Sequence, residues 1–248
     1  MPHWDGAFPR WLIRTQALAL MAQVGGNVAA CQAEHCPILA RAPLPLARHS
    51  NRYAWVFGGI NAANGALNDL WMLDLQTGAW TERNADGAYP TARRGASFVV
   101  LSQKSAYLFG GESADRVRRQ DMFLLHLGSG SSTVPRWEAV VYSDLLTVPP
   151  ARTEHTATVV PLFEQAGAPL GMIIFGGMDG DSRPLADLHE FDFNTWTWRE
   201  LSPTGTPPTK RKGHAACLLL NSLLAVFGGG NPEVPAVHAE PGWPSPPP

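Results

Sequence analysis

Only three cysteines, Cys31, Cys36 and Cys217, occur in the 248 residues. So small and odd a number builds no disulfide framework. It makes a cytoplasmic location the expectation. Charge is also scarce. Asp, Glu, Lys and Arg make up 16% of the chain, against about 25% in an average soluble domain. The formal net charge of −2 provides no field to attract a phosphate backbone, so no nucleic-acid partner is expected. No apolar run reaches the about 18 residues of a membrane-spanning helix, so no membrane partner is expected either. Sequence signatures of catalysis are missing too. There is no Gly-x-Ser-x-Gly, no His-Glu-x-x-His, no Gly-x-x-x-x-Gly-Lys and no Cys-x-x-Cys. Each would have placed a nucleophile, a metal or a phosphate at a defined turn. No cofactor and no metal are expected. The run from Cys31 to Cys36 includes His35, but no second Cys/His pair follows at zinc-site spacing.

Glycine (24) and proline (22) are abundant, and 45% of the residues are apolar. That composition predicts a turn-rich globular protein of many short elements. Residues 1–43 differ from the rest of the chain. Arg10 and Arg14 precede an apolar stretch, Ala17 to Val24, and small residues follow at Val28, Ala29 and Ala30. The pattern fits a secretory signal cleaved after Ala30, or an Arg-bearing transit peptide. The apolar stretch is short and flanked or interrupted by Gln16 and Gln23, which favours an irregular leader. Residues 231–248 hold many prolines and no strand pattern, so a disordered tail is expected there.

Between them runs a repeat. Phe-Gly-Gly occurs at Phe57-Gly58-Gly59, Phe109-Gly110-Gly111, Phe175-Gly176-Gly177 and Phe227-Gly228-Gly229, at spacings of 52, 66 and 52 residues. An Asp lies 12 residues after each of the first three Phe, at Asp69, Asp121 and Asp187. A Trp follows at Trp80, Trp137 and Trp198, and then a Pro-x-x-Arg step ending at Arg93, Arg152 and Arg211. Three residues beyond the Arg stand Ala96, His155 and His214. The longer middle period carries its extra residues near Gly128–Thr133 and Gln165–Gly171, as insertions at hairpin tips would.

Each copy reads as four short strands. The first follows the Arg, the second leads into Gly-Gly, the third begins after the Asp, and the fourth surrounds the Trp. The first two are apolar at nearly every position, as strands buried on both faces are. The glycine pair is expected to end the second strand, where Gly allows a bend. The Trp residues are expected to fill space between sheets. The three Asp residues are expected to accept backbone hydrogen bonds at the start of strand three. The Arg residues are expected to tie neighbouring loops, His155 and His214 to be structural, and Cys217 to be core.

Four antiparallel strands at a period near 50, with Gly-Gly and a downstream Trp, resemble the kelch repeat. The Trp80…Gly87…Pro90…Arg93 and Trp198…Gly205…Pro208…Arg211 patterns are similar to kelch proteins of the host-cell-factor and Rab-effector type. The resemblance covers roughly residues 44–230. It implies an all-β kelch-type propeller, with blades at about 44–83, 92–141 and 151–201 and a half blade at 211–230. From Arg48 to Phe57 the first copy is seven residues shorter than the 16-residue step of two other copies (Arg93 to Phe109, Arg211 to Phe227), about one strand and its turn. The expectation is therefore an incomplete arc of about three and a half blades. Open sheet edges invite pairing. A fragment or imperfect gene product of a larger propeller, self-association of two copies, and a stand-alone arc all stay open.

The resemblance implies a non-catalytic protein–protein interaction module or scaffold. The alternative is an enzyme-related propeller of the galactose-oxidase or metal-dependent specifier kind, whose metal motifs do not occur here. The loops joining strands two and three are the expected contact face, because they share one side. Arg116, Arg118 and Arg119 there suit an acidic partner segment, while Asp179, Asp181 and Arg183 suit a basic one.

Overall fold

A computed structural model describes residues 45–50, 52–61, 65–127, 133–162, 170–219 and 223–231. The leader, all the prolines of the tail, Cys31, Cys36 and most of both hairpin insertions lie outside these residues. All regular elements described are β-strands, arranged in four sheets. The first sheet contains β1 (Leu46–Arg48), β2 (Tyr53–Asn61), β3 (Gly65–Asp74) and β4 (Trp80–Glu82), paired antiparallel in that order. The second has β6 (Ser97–Ser102), β7 (Ser105–Phe109), β8 (Met122–His126) and β9 (Arg136–Ala139). A two-residue strand, β5 (Asp86–Gly87), adds to β9 in parallel. The third is built from β11 (Thr156–Pro161), β12 (Leu170–Asp179), β13 (Pro184–Asp192) and β14 (Thr197–Leu201). There β10 (Arg152–Thr153) caps the far end of β12. The fourth sheet is the hairpin of β15 (Ala215–Leu219) and β16 (Leu223–Phe227).

The innermost strands β1, β6, β11 and β15 neighbour one another in that order, as successive propeller blades do. The second strand of each of the first three sheets lies between two strands and under two apolar layers. Six consecutive residues of β2, Ala54–Gly59, are buried, which explains why its sequence carries no polar alternation. The core between sheets one and two gathers Phe57, Leu70, Phe98, Leu108 and Trp137. The core between sheets two and three gathers Phe109, Met122, Ile174, Phe191 and Trp198.

Two expectations are corrected. The first copy does not lack a strand: β1 pairs with β2 through Leu46↔Val56. Phe98 pairs with Leu108 in sheet two, and both Val56 and Leu108 directly precede the repeat Phe. Leu46 therefore stands where Phe98 stands, and Arg48 is not the repeat arginine. Counting back the same five residues reaches Arg41, which is 16 residues before Phe57, the spacing of Arg93 to Phe109 and of Arg211 to Phe227. Arg41 itself lies outside the described residues.

The glycine pair does not end the second strand in sheets one and three. Both β2 and β12 run through it, with a shift of register at Phe57/Gly59 and at Phe175/Gly177. The pair is a β-bulge, which bends the strand without ending it. In sheet two β7 does stop at Phe109, because Glu112 leaves the ladder for single bridges to Arg94 and Arg118.

Candidate interaction surface

The arginine of the Pro-x-x-Arg step joins two sheets. Its backbone belongs to the preceding one: Gly59 N–H donates to the Arg93 carbonyl and Arg93 N–H to the Leu67 carbonyl. Its side chain belongs to the following one. The Arg93 guanidinium donates to the carbonyls of Thr91 (3.1 Å) and Gly110 (3.0 Å) and to both carboxylate oxygens of Asp121 (2.6 and 3.1 Å). Arg152 repeats this with Pro150, Gly176 and Asp187, while its backbone meets Gly111 and Arg119. Both arginine side chains are fully buried. A planar fork suits this work, since it satisfies a carboxylate and two carbonyls at once.

Asp121 and Asp187 are thus partners of a side chain, not the backbone acceptors expected at the start of strand three. Asp69 accepts from the Trp71 indole N–H at 2.7 Å. Burial alone would raise the Asp187 carboxyl pKa. Hydrogen bonds from Arg152 and His189 overcome it and hold the group well below the usual carboxylate range.

The bulge glycines make this close approach possible. A Cβ at Gly111 would stand 2.8 Å from the Ala96 Cβ and 2.9 Å from the Arg94 carbonyl, at φ +94°. Across the same seam, His155 sits edge-on to Phe109 and its Nε2 meets Ser97 Oγ at 2.9 Å. His214 repeats the arrangement against Phe175 and Thr156. Burial, then the neighbouring arginine charge, lowers the His155 pKa to about 3 and the His214 pKa to about 4. Both rings stay neutral and structural. Trp137 packs on Phe57 and Trp198 on Phe109 at ring-centroid distances of 5.2 and 5.0 Å, so each fills the gap to the sheet before it. Trp80 is only half-buried. Cys217 is exposed, contrary to the expected core position.

The loops that join strands two and three carry the charged residues singled out in the sequence. The structure brings the basic loop of sheet two and the acidic loop of sheet three together through one side chain. Arg118 donates to the carbonyls of Asp179 and Gly180 (3.2 Å to the latter) and to Ser182 Oγ (3.0 Å). It also pairs with Glu112 at 3.0 Å. Arg118 is therefore an internal clamp, only a tenth exposed. Arg183 pairs with Asp179 and Asp181 within its own loop. Arg119 is half-buried, and its carbonyl receives the Arg152 N–H. Arg116 is exposed, at φ +62°. Of the charges singled out in the sequence, Arg116, Asp181 and Arg183 are accessible, and Asp115 beside Arg116 is exposed as well.

Sequence reasoning missed Glu112, a buried carboxylate that bridges Arg94 and Arg118. The other copies have Ile60, Met178 and Gly230 at that position, so the repeat carries no signal for it. Among the described residues no group of three His, Cys, Asp or Glu side chains is placed to hold a metal ion.

Comparison with known proteins agrees with this architecture. The chain is 34% identical over 191 residues to human host cell factor 1, covering 72% of the chain and 9% of that protein. It is 33% identical over 190 residues to human host cell factor 2, covering 72% and 23%. It is also 29% identical to the flagellar outer-arm dynein alpha chain of Chlamydomonas reinhardtii, covering 69% of the chain and 4% of that protein. The chain thus spans less than a quarter of the length of these relatives. Among solved structures, that of YjhT superposes with a TM-score of 0.55 at 18% identity, over 76% of this chain and 59% of that one. The model of the Attractin/LZTR1 beta-propeller family matches residues 54–239. With its four Phe-Gly-Gly repeats, two of them β-bulges in paired strands, the chain belongs to that family of kelch-type propellers.

Proposed function

We propose that the chain is a non-catalytic protein–protein interaction module whose contact face is formed by the loops between strands two and three. The observation that carries this reading is the Arg118 clamp. It locks the loop of sheet two to the loop of sheet three, so that exposed Arg116, Asp181 and Arg183 are held on one ordered surface. Pre-ordering of a charged rim lowers the entropy lost on binding, and mixed charges give specificity. The kelch-type relatives support an interaction role at the level of the family.

The test is a quantitative affinity capture with the wild-type chain and with the Arg116→Glu/Arg183→Glu double variant. Both positions are exposed, so the fold should keep its melting temperature. The reading expects a defined set of proteins retained by the wild type and lost by the variant. An unchanged set would move the contact face elsewhere.

A further inference from the structure

The fourth sheet repeats the arginine clamp with one member missing. The Arg211 side chain donates to the Gly228 carbonyl at 3.0 Å, to the Thr209 carbonyl at 3.0 Å and to Thr209 Oγ1 at 3.2 Å. Arg93 and Arg152 make the same bonds to the first bulge glycine and to the residue two before the arginine. Those two arginines also grip an aspartate. Among the described residues no carboxylate reaches Arg211. Its guanidinium is held in the orientation that its counterparts use, with no described residue on the carboxylate side.

Beside it lies a strand edge with no partner among the described residues. In sheets two and three, β7 and β12 are hydrogen-bonded on that edge to β8 and β13. In the fourth sheet β16 pairs, among the described residues, with β15 alone. Leu223 and Phe227 are 57% and 83% exposed, whereas Phe57, Phe109 and Phe175 are at most 4% exposed.

We propose that the outer edge of β16 is a docking site for an extended segment of a partner protein, whose aspartate pairs with Arg211 and whose next residue is apolar. The preceding sheets state the chemistry. Asp121 precedes Met122, which pairs with Phe109, and Asp187 precedes Leu188, which pairs with Phe175. Strand addition of this kind draws affinity from the backbone ladder and specificity from the side chains. A charge-assisted, two-pronged bond to a pre-oriented guanidinium selects the acidic residue. Among the described residues a second folded copy has no such strand to lend, because Asp69, Asp121 and Asp187 each lead into a strand already paired on both sides in its own sheet. Residues 232–241 do not match the pattern in sequence. Position 239, twelve residues after Phe227, is Ala, and Pro232, Pro235 and Pro241 cannot donate to a ladder. This site is separate from the loop face and stands or falls independently of it.

The experiment uses the full chain and a synthetic peptide with the sequence of residues 186–193, Ala-Asp-Leu-His-Glu-Phe-Asp-Phe. Fluorescence anisotropy should show saturable binding, weakened about tenfold when the first Asp of the peptide is replaced by Asn. Arg211→Gln in the protein should weaken binding by a similar factor, and the two changes should not add. Hydrogen exchange at Leu223–Phe227 should slow when the peptide binds. Absence of binding, or equal binding of the Asn peptide, overturns the proposal. So does slow exchange at Leu223–Phe227 in the free chain, whether the chain is monomeric (its own residues fill the edge) or dimeric (a second copy does).

Discussion

Phe109 and Phe227 have the same sequence neighbourhood and opposite environments. Phe109 is fully buried, with Trp198 and His155 of the next sheet on its ring. Phe227 is 83% exposed. The same contrast separates Arg152, buried and paired with Asp187, from Arg211, whose partners among the described residues are carbonyls and a hydroxyl. A repeat residue is thus not stabilising by virtue of its motif. Its contribution comes from the neighbouring sheet that completes its contacts, as expected of quasi-one-dimensional assemblies.

The comparison can be broken hardest at the arginines. Arg152→Ala leaves Asp187 without its main partner in a half-buried site, and the expected cost is about 3–5 kcal/mol. Arg211→Ala should cost no more than about 1 kcal/mol. Urea unfolding of both variants checks this, and equal losses would mean that the clamp does not depend on its aspartate. Phe109→Ala should cost about 3–5 kcal/mol through the cavity it leaves, while Phe227→Ala should leave the urea midpoint nearly unchanged. At the bulges, Gly111→Ala combines positive φ with a close contact and should cost about 2–3 kcal/mol. Gly228→Ala has φ +68° but nothing within 4 Å, so the backbone term alone remains, about 1–2 kcal/mol.

The pH dependence sharpens the comparison further. His155 and His214 are held neutral in the fold with lowered pKa values of about 3 and about 4. The unfolded chain binds their protons near pH 6.5. Their effect is absent above about pH 6.5, and stability falls as pH drops from there toward the folded values. Asp187 extends the loss below pH 4, since its carboxyl is also held low in the fold. His155→Gln should flatten the slope between pH 6.5 and 4 in thermal melts. An unchanged slope would show that the ring is accessible to protons.

Much of this architecture is readable in the sequence. Phe-Gly-Gly recurs in all four sheets, and the Asp and Trp beyond it mark contacts that sheets two and three share, so their recurrence along the chain reveals them. Arg93 and Arg152 are visible as a repeat, but not that their side chains reach forward to Asp121 and Asp187, 28 and 35 residues away. Spacing records that two positions recur, not that they touch. Arg48 misleads because an arginine also stands at the hairpin of β1 and β2, and only the register shows that Arg41 keeps the 16-residue offset. The loop clamp is hidden for a different reason. Arg118 and Glu112 have no counterparts in the other copies, so their pairing is a property of one seam. Charge in a loop reads as solvent-exposed until geometry shows a carbonyl at hydrogen-bond distance. The two-residue strand β5 escapes notice because Asp86–Gly87 has no apolar pattern to signal it.

The arginine step also bears on what a protease would see. Residues 202–210 are exposed throughout, so a cut there should be easy. The two pieces would still be held by the Gly177 N–H to Arg211 carbonyl bond, the Arg211 N–H to Leu185 carbonyl bond and the Lys212–Glu154 pair. His214 would stay against Phe175 and Thr156. A nicked molecule should therefore run as two bands on a denaturing gel and elute as one species from a sizing column. The fragment after the cut would carry the sheet's last hairpin without setting it free.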